Sequence, residues 1–122
     1  MPKSTTRSLP SLSVRIDLDT GARIGPGKIA LLKAIGETGS ISAAGRALDM
    51  SYRRAWRLIE ELNTSFKEPL VTSQTGGKSG GGAMLTALGK SVIAHYAAIE
   101  TKSHRVATRH LAALQATMRR SR

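Results

Sequence analysis

Apolar and polar residues alternate near the start of the chain, from Leu12 to Leu18. A period of two is typical of a strand with one buried face, and Gly21 and Gly25 end the pattern. The first ten residues have no such periodicity and include one lysine and one arginine. We therefore predict a flexible basic arm over residues 1–10, followed by a short strand.

Helical spacing of apolar residues begins at residue 26 and predicts a first helix over residues 26–38. A second, short helix is predicted to run to about Leu48, with either Ser40 or Ser42 as its N-terminal cap. A third helix is predicted to begin at Ser51, which is suited to capping it. Its apolar stripe faces the core and consists of Ala55, Ile59, Leu62 and Phe66.

A glycine-rich segment follows the third helix, at residues 75–82, between two short runs suited to strands at residues 70–72 and 84–85. This arrangement predicts two strands joined by a loop, which is the shape of a wing. From residue 87 to residue 118, apolar residues recur every three or four positions, which predicts a long helix with an exposed apolar stripe. We predict that this stripe pairs with a second copy of the chain through Leu88, Val92, Tyr96, Ile99 and Val106.

These elements predict a mainly α fold with a small β component, namely a winged helix-turn-helix with a long C-terminal dimerisation helix. The predicted division is a flexible basic arm at 1–10, a winged helix-turn-helix domain at 11–86, a dimerisation helix at 87–118 and a basic tail at 119–122. A chain of 122 residues has room for one such domain and not for a second catalytic one.

The net charge of the chain points to a polyanionic partner. Lysine and arginine number 19 against eight aspartate and glutamate residues, which gives +11. Nucleic acid is the first candidate for such a partner, whereas an acidic membrane surface and plain solubility are the alternatives that charge alone leaves open.

Several classes of protein are excluded by composition. The sequence contains no cysteine, so disulfide bonds, thiolate metal sites and cysteine nucleophiles are excluded. No apolar run reaches the roughly 18–20 residues that cross a bilayer, and the N-terminus lacks the apolar stretch of a signal peptide. We therefore expect a cytoplasmic protein that does not bind membranes.

The second and third helices are separated by a break of only two or three residues, which predicts helix-turn-helix geometry. When the apolar stripe of the third helix faces inward, Arg53, Arg54 and Arg57 point outward from its first half. That half of a recognition helix meets the base edges of DNA. The alternative is a solvated cationic face whose arginines pair with the acidic residues one turn further on.

Three residues at the start of the third helix have two possible roles each, namely Ser51, Tyr52 and Trp56. Ser51 is expected to cap the helix and to contact a phosphate. Tyr52 either contacts DNA or buries its ring with the hydroxyl at the rim. Trp56 lies beside the apolar stripe, and we expect it to pack in the protein rather than to stack on a base.

The glycine-rich run TGGKSGGG resembles a phosphate-binding loop in composition, but a Walker-A loop requires glycine where Thr72 stands. We predict instead a wing tip that places Lys78 against DNA phosphate, with an inert flexible linker as the alternative. Elsewhere, His95, His104 and His110 are too dispersed for a metal cluster. We expect no metal site, no catalytic residues and no enzymatic activity.

The stretches GSISAAGRALDMSYRRAWRLIEELN and TGGKSGGGAMLTALGK resemble the N-terminal DNA-binding domain of the molybdate-responsive ModE-type regulators, which is itself similar to the winged helices of LysR-type regulators. The resemblance covers about residues 12–100. It implies a homodimeric winged helix that binds a palindromic operator, usually as a repressor of genes for molybdate uptake or molybdoenzyme synthesis. By position it places Ser51, Tyr52, Arg53, Arg54 and Arg57 on the recognition helix, and Thr75, Lys78 and Ser79 on the wing.

Full members of that family continue into molybdate-binding domains of small β-barrel type, for which this sequence has no counterpart before Arg122. We therefore expect no cofactor in this chain, and molybdate is conceivable by family resemblance only. The predicted function is sequence-specific binding of double-stranded DNA as a homodimer. The alternative is a non-specific architectural protein of the nucleoid type, which binds by charge and counterion release.

Overall fold

The computed structural model describes residues 10–74 and 82–119, and it confirms a mainly α winged helix-turn-helix with a long C-terminal helix. Helices over residues 26–38, 41–47 and 52–65 match the three predicted helices, because their apolar spacing is helical throughout. The elements in chain order are β1 (Ile16–Asp17), β2 (Arg23–Ile24), α1 (Pro26–Thr38), α2 (Ile41–Ala47), α3 (Tyr52–Ser65), β3 (Val71–Gln74), β4 (Gly82–Leu85) and α4 (Ala87–Ala116).

The N-terminal strand is shorter than its alternating pattern predicts. β1 contains only Ile16 and Asp17, and it pairs antiparallel with β2, a strand that the sequence pattern did not reveal. The two strands are joined by a tight turn in which Thr20 and Gly21 adopt left-handed backbone conformations. A two-residue partner can pair with only two residues of the alternating run. Just beyond them, the Leu18 N–H donates to the Ala22 carbonyl at 2.7 Å and closes the turn.

The core lies where α1, α2 and α3 meet the base of the wing. α1 contributes the largest fully buried side chains, Leu31, Leu32 and Ile35, and α3 contributes Leu62. The buried side chains of α3 form one stripe, whereas those of α1 cover more than half of the circumference of that helix, so the helices close around one apolar cluster with α1 at its centre. This cluster fixes the orientation of α3 relative to the rest of the domain.

The wing and α4 are fastened together at Leu70, the residue before β3. The Leu70 carbonyl oxygen accepts a hydrogen bond of 2.9 Å from the Thr86 backbone N–H. The Thr86 hydroxyl accepts from the Gly89 N–H at 3.0 Å and so caps α4. Gly89 is buried directly against the Leu70 carbonyl, in a space too narrow for any side chain. The wing therefore starts from a fixed point on α4.

Tyr96 ties α4 to the N-terminal segment. Its side chain is 2% exposed, and its hydroxyl donates a hydrogen bond of 2.6 Å to the carbonyl oxygen of Val14. Burial raises the pKa of the Tyr96 phenol, and the nearby Glu100 carboxylate raises that pKa further. Both effects disfavour the phenolate, which would also lose the donated hydrogen bond.

We expect Tyr96 to make the fold sensitive to alkali. Because its folded-state pKa exceeds the ordinary value of about 10, its contribution is fully present below that pH and is lost as the pH rises through the raised pKa. Urea unfolding across this range should show a steeper fall in unfolding free energy for the natural chain than for Tyr96→Phe. Tyr52→Phe is the control, since Tyr52 is exposed. Identical curves for the natural chain and Tyr96→Phe would contradict the assignment.

Candidate nucleic-acid interface

The helix-turn-helix is built by two serine caps and a sharp turn between the two helices. Ser40 caps α2 by accepting a hydrogen bond from the Ala43 N–H at 3.0 Å, so of the two predicted candidates Ser40 is the cap. Ser51 caps α3 through the Arg54 N–H at 3.1 Å. Between them Asp49 takes a left-handed conformation (φ 58°) that turns the chain sharply from one helix into the next.

The buried stripe of α3 determines where its other side chains point. Ala55, Ile59 and Leu62 are buried, as predicted. At about 100° per residue, Arg53 and Arg57 lie on the side opposite this stripe, and both are exposed. Arg54 and Glu61 share one flank of the helix, and Tyr52 and Trp56 share the other. The three predicted arginines therefore occupy two adjoining faces rather than one.

The arginines of α3 have no acidic partner among the described residues. The ion pairs in that part of the chain join Arg15 and Arg23 to Asp17, and Lys28 to Glu61 at 3.4 Å. Glu61 therefore pairs with α1 and not with an arginine one turn away on its own helix. The charges of Arg53, Arg54 and Arg57 remain available to an external anion, which disfavours the alternative of a self-neutralised face.

Trp56 is not packed into the protein, and that expectation is wrong. Its side chain is 47% exposed, and Tyr52, one turn earlier, is 57% exposed. Both lie along a groove of about 380 Å³ between the first half of α3, the start of α2 and the base of the wing. The sequence pattern placed Trp56 beside the core stripe, but within residues 10–74 and 82–119 no other element covers that flank of α3.

Asn63 fixes the wing relative to α3, and sequence reasoning did not find this residue. Its side-chain oxygen accepts hydrogen bonds from the N–H groups of Leu70 and Val71 at 2.8 and 3.1 Å. Its side-chain nitrogen donates to the Val71 carbonyl at 3.0 Å. The Asn63 amide thus satisfies three backbone groups at the start of β3, and the wing leaves the domain at a fixed angle to α3.

The wing consists of β3 and β4 in antiparallel register, with Val71 opposite Leu85 and Gln74 opposite Gly82. The second strand is anchored to the turn after α1, because the Ala83 N–H donates to the Gly39 carbonyl at 2.9 Å. The wing tip itself lies outside the described residues, and so do the predicted phosphate contacts Thr75, Lys78 and Ser79. Their role remains a prediction.

The five residues predicted to line a dimer interface fall into different environments. Tyr96 is buried within its own chain, and Leu88 and Val92 pack partly against the core. Ile99 is 41% exposed and Val106 is 75% exposed. Tyr96 therefore offers no surface to a partner, and the exposed apolar stripe begins at Ile99 and continues along the distal half of α4.

Other kinds of site find no support in the part of the chain that the structure describes. No group of three or more histidine, cysteine, aspartate or glutamate side chains could hold a metal ion there. Among the same residues, no helix combines the length and apolarity that crossing a membrane requires. Residues 1–9 and 120–122, which hold most of the predicted arm and tail, lie outside the description.

Comparison with known proteins shows which family the chain resembles. The family model of bacterial regulatory helix-turn-helix proteins of the lysR family matches residues 27–90, from α1 to the start of α4. Among solved structures, a chain in the crystal structure of the CbnR_DBD-DNA complex superimposes with a TM-score of 0.55. The match covers 72% of this chain and 95% of that one at 23% identity, which supports the shared fold.

Several curated relatives are more similar in sequence. The molybdenum-pterin-binding protein MopB of Rhodobacter capsulatus is 53% identical over 81 residues, which cover 66% of this chain and 30% of MopB. The molybdenum transport protein ModE of Azotobacter vinelandii is 39% identical over 97 residues, 80% of this chain and 35% of that protein. The DNA-binding transcriptional dual regulator ModE of Escherichia coli K12 is 45% identical over 71 residues, 58% and 27% of the two chains. This chain thus spans about a third of the length of these relatives.

Proposed function

This chain belongs to the lysR family of bacterial regulatory helix-turn-helix proteins, and on that premise we propose that it regulates transcription by binding double-stranded DNA in a sequence-specific manner. The observation that carries the proposal is the outer face of α3, where Arg53 and Arg57 are exposed and no acidic partner of theirs occurs among the described residues. In helix-turn-helix proteins this helix enters the major groove, where arginine binds guanine edges through two hydrogen bonds.

The charge of the chain supports the same proposal. A net charge of +11 favours association with the phosphate backbone in any sequence. The arginines of α3 would add base contacts to this general attraction, with Arg54 on the flank of the helix and Ser51 at its start. Ser51 caps α3, so its hydroxyl lies at the N-terminal end of the helix, where a phosphate would bind.

We further propose that the chain is a homodimer that pairs through the distal half of α4. Ile99, Val106 and Ala113 are spaced seven residues apart, which is the spacing of a two-helix seam. Beyond Tyr96 no side chain of α4 is fully buried, so the stripe is free to meet a second copy. Such a dimer would place two recognition helices about 34 Å apart and would bind a palindromic operator.

Replacing Val106 with glutamate is expected to weaken this dimer without unfolding the domain. The side chain is 75% exposed in the single chain, so the substitution disturbs no packing there, but it would place a charge in an apolar seam. Sedimentation should show a dissociation constant raised at least about tenfold. Ala112→Glu is the control, since Ala112 lies on another face of the same helix. Equal dimerisation by the natural chain and Val106→Glu would contradict the proposed seam.

The names of the relatives suggest which genes are regulated. Those relatives include a molybdenum transport protein, a molybdenum-pterin-binding protein and a transcriptional dual regulator. We propose that this chain acts in the bacterial cytoplasm as a repressor of genes for molybdate uptake or molybdoenzyme synthesis. A promoter–reporter fusion from such a gene should lose expression when the chain is produced, whereas a rise in expression would make the chain an activator.

Selection of bound duplexes from a random pool tests the DNA-binding proposal most directly. At about 0.15 M salt, charge-only binding is partly screened, so sequence preference decides what is retained. The expected result is an enriched inverted repeat with half-sites one helical turn, or a multiple of it, apart. A pool that stays random while the chain still retains DNA would favour the architectural alternative. A chain that retains no DNA would contradict both functions.

A further inference from the structure

Two exposed aromatic side chains stand on one flank of the recognition helix. Tyr52 and Trp56 are one turn apart on α3, and together they form one wall of the groove described above, here called the aromatic groove. Its other walls are the start of α2, from Ser40 to Ser42, and the base of the wing at Ser73 and Gln74. The groove therefore opens along the helix that the proposed function places in the major groove of DNA.

The exposure of these rings leaves them available for an external contact. Trp56 is about half exposed although its helix neighbours Ala55 and Ile59 are buried, and no described element covers it. Single exposed apolar side chains are common on protein surfaces, but two adjacent rings beside a row of arginines form a distinct apolar patch. In the major groove the C5-methyl group of thymine is the apolar group that a base pair presents. The rings and this methyl group are therefore chemically complementary.

We propose that the aromatic groove is a thymine-reading site, in which the ring of Trp56, supported by Tyr52, packs against the C5-methyl group of a thymine in each half-site. The inference rests on the proposed function and deepens it, because it assigns A·T specificity to two uncharged side chains in the first half of α3. Arg53 and Arg57 lie on the neighbouring face and suit guanine. The recognition helix would thus read two kinds of base pair with two of its faces.

Uracil substitution tests this site, because uracil keeps the ring and every hydrogen-bonding group of thymine and lacks only the methyl group. The probe is the duplex enriched from the random pool, with deoxyuridine placed at each thymidine in turn. At one position per half-site the affinity of the natural chain should fall about fourfold, the change that corresponds to roughly 0.8 kcal/mol for one buried methyl group. Trp56→Ala should bind the thymine and uracil duplexes equally, whereas Trp56→Phe should keep part of the preference.

Arg54→Ala is the matched control, since Arg54 lies on the opposite flank of the same helix. It should weaken binding to both duplexes and leave their ratio unchanged. Trp56 is the only tryptophan in the chain, so its emission reports on the groove directly. Binding of the thymine duplex should reduce quenching of this emission by acrylamide.

The possible outcomes separate the two proposals. If every uracil duplex binds as tightly as the thymine duplex, the groove does not read the methyl group, and sequence-specific binding still stands. If Trp56→Ala and Trp56→Phe both retain the full uracil effect, the methyl contact is made elsewhere and the inference is overturned. Unchanged ratios combined with protected tryptophan emission would indicate stacking on a base face instead. If no duplex is enriched, the proposed function fails and the inference fails with it.

Discussion

Replacing Gly89 with alanine is expected to lower the free energy of unfolding by about 3 kcal/mol or more, a large share of the total for a small domain. A methyl group at this position would overlap the carbonyl oxygen of Leu70. That oxygen belongs to the backbone and is held by the Thr86 N–H, so it cannot move without loosening the wing from α4. Thermal unfolding should show a midpoint lowered by roughly 10 °C or more.

Gly27→Ala is the control for this prediction. Gly27 also lies in a helix, but a methyl group there would have no atom within 4 Å. Alanine is the better helix former, so this substitution should leave stability unchanged or raise it by up to about 1 kcal/mol. A Gly89→Ala protein as stable as the natural chain would show that Leu70 and α4 are not in close contact in solution.

Replacing Arg53 and Arg57 together with alanine is expected to weaken binding to the enriched duplex by at least about thirtyfold. Each bidentate contact with a base is worth about 1–3 kcal/mol, and these two side chains project directly away from the core stripe of α3. The measurement is a binding titration repeated at several salt concentrations. If the two arginines contact bases, the loss of affinity for the enriched duplex should exceed the loss of affinity for random DNA. If they contact two phosphates instead, the slope of log binding constant against log salt concentration should fall in magnitude by about 1.8.

The charge-matched control removes Lys33 and Lys67 instead. Both are exposed and lie outside the first half of α3, so their loss changes the net charge by the same amount. This control should weaken binding to specific and random DNA only slightly and to the same degree. An equal loss in the two double variants would mean that charge alone determines binding, as in an architectural protein.

The helices were predictable from sequence because their signals are local. Apolar spacing, the proline at the start of α1 and the serine caps of α2 and α3 all act within a few residues. The strand β2 was not predictable, because a run as short as Arg23 and Ile24 has no periodicity of its own. It is a strand only because it lies beside β1.

In the candidate site, too, the features set by local sequence were predicted and those set by distant parts of the chain were missed. The outward direction of Arg53 and Arg57 follows from the buried stripe of their own helix. The exposure of Trp56 depends on whether another element covers its flank, and the role of Asn63 depends on where the chain returns to begin β3. Both are long-range facts that spacing along one helix does not contain.

The distal half of α4 has a consequence for how the protein would respond to its own concentration. Beyond Tyr96 this helix has no fully buried side chain, so its helical form gains little support from the rest of the domain. In proteins most of the stability of a helix comes from tertiary packing of its apolar face rather than from helix propensity. In the proposed dimer, association would supply the packing that this part of the helix lacks in the single chain. Fraying of the distal helix would decrease on concentrating the protein, and occupancy of a palindromic site would switch on over a narrow range of cellular abundance.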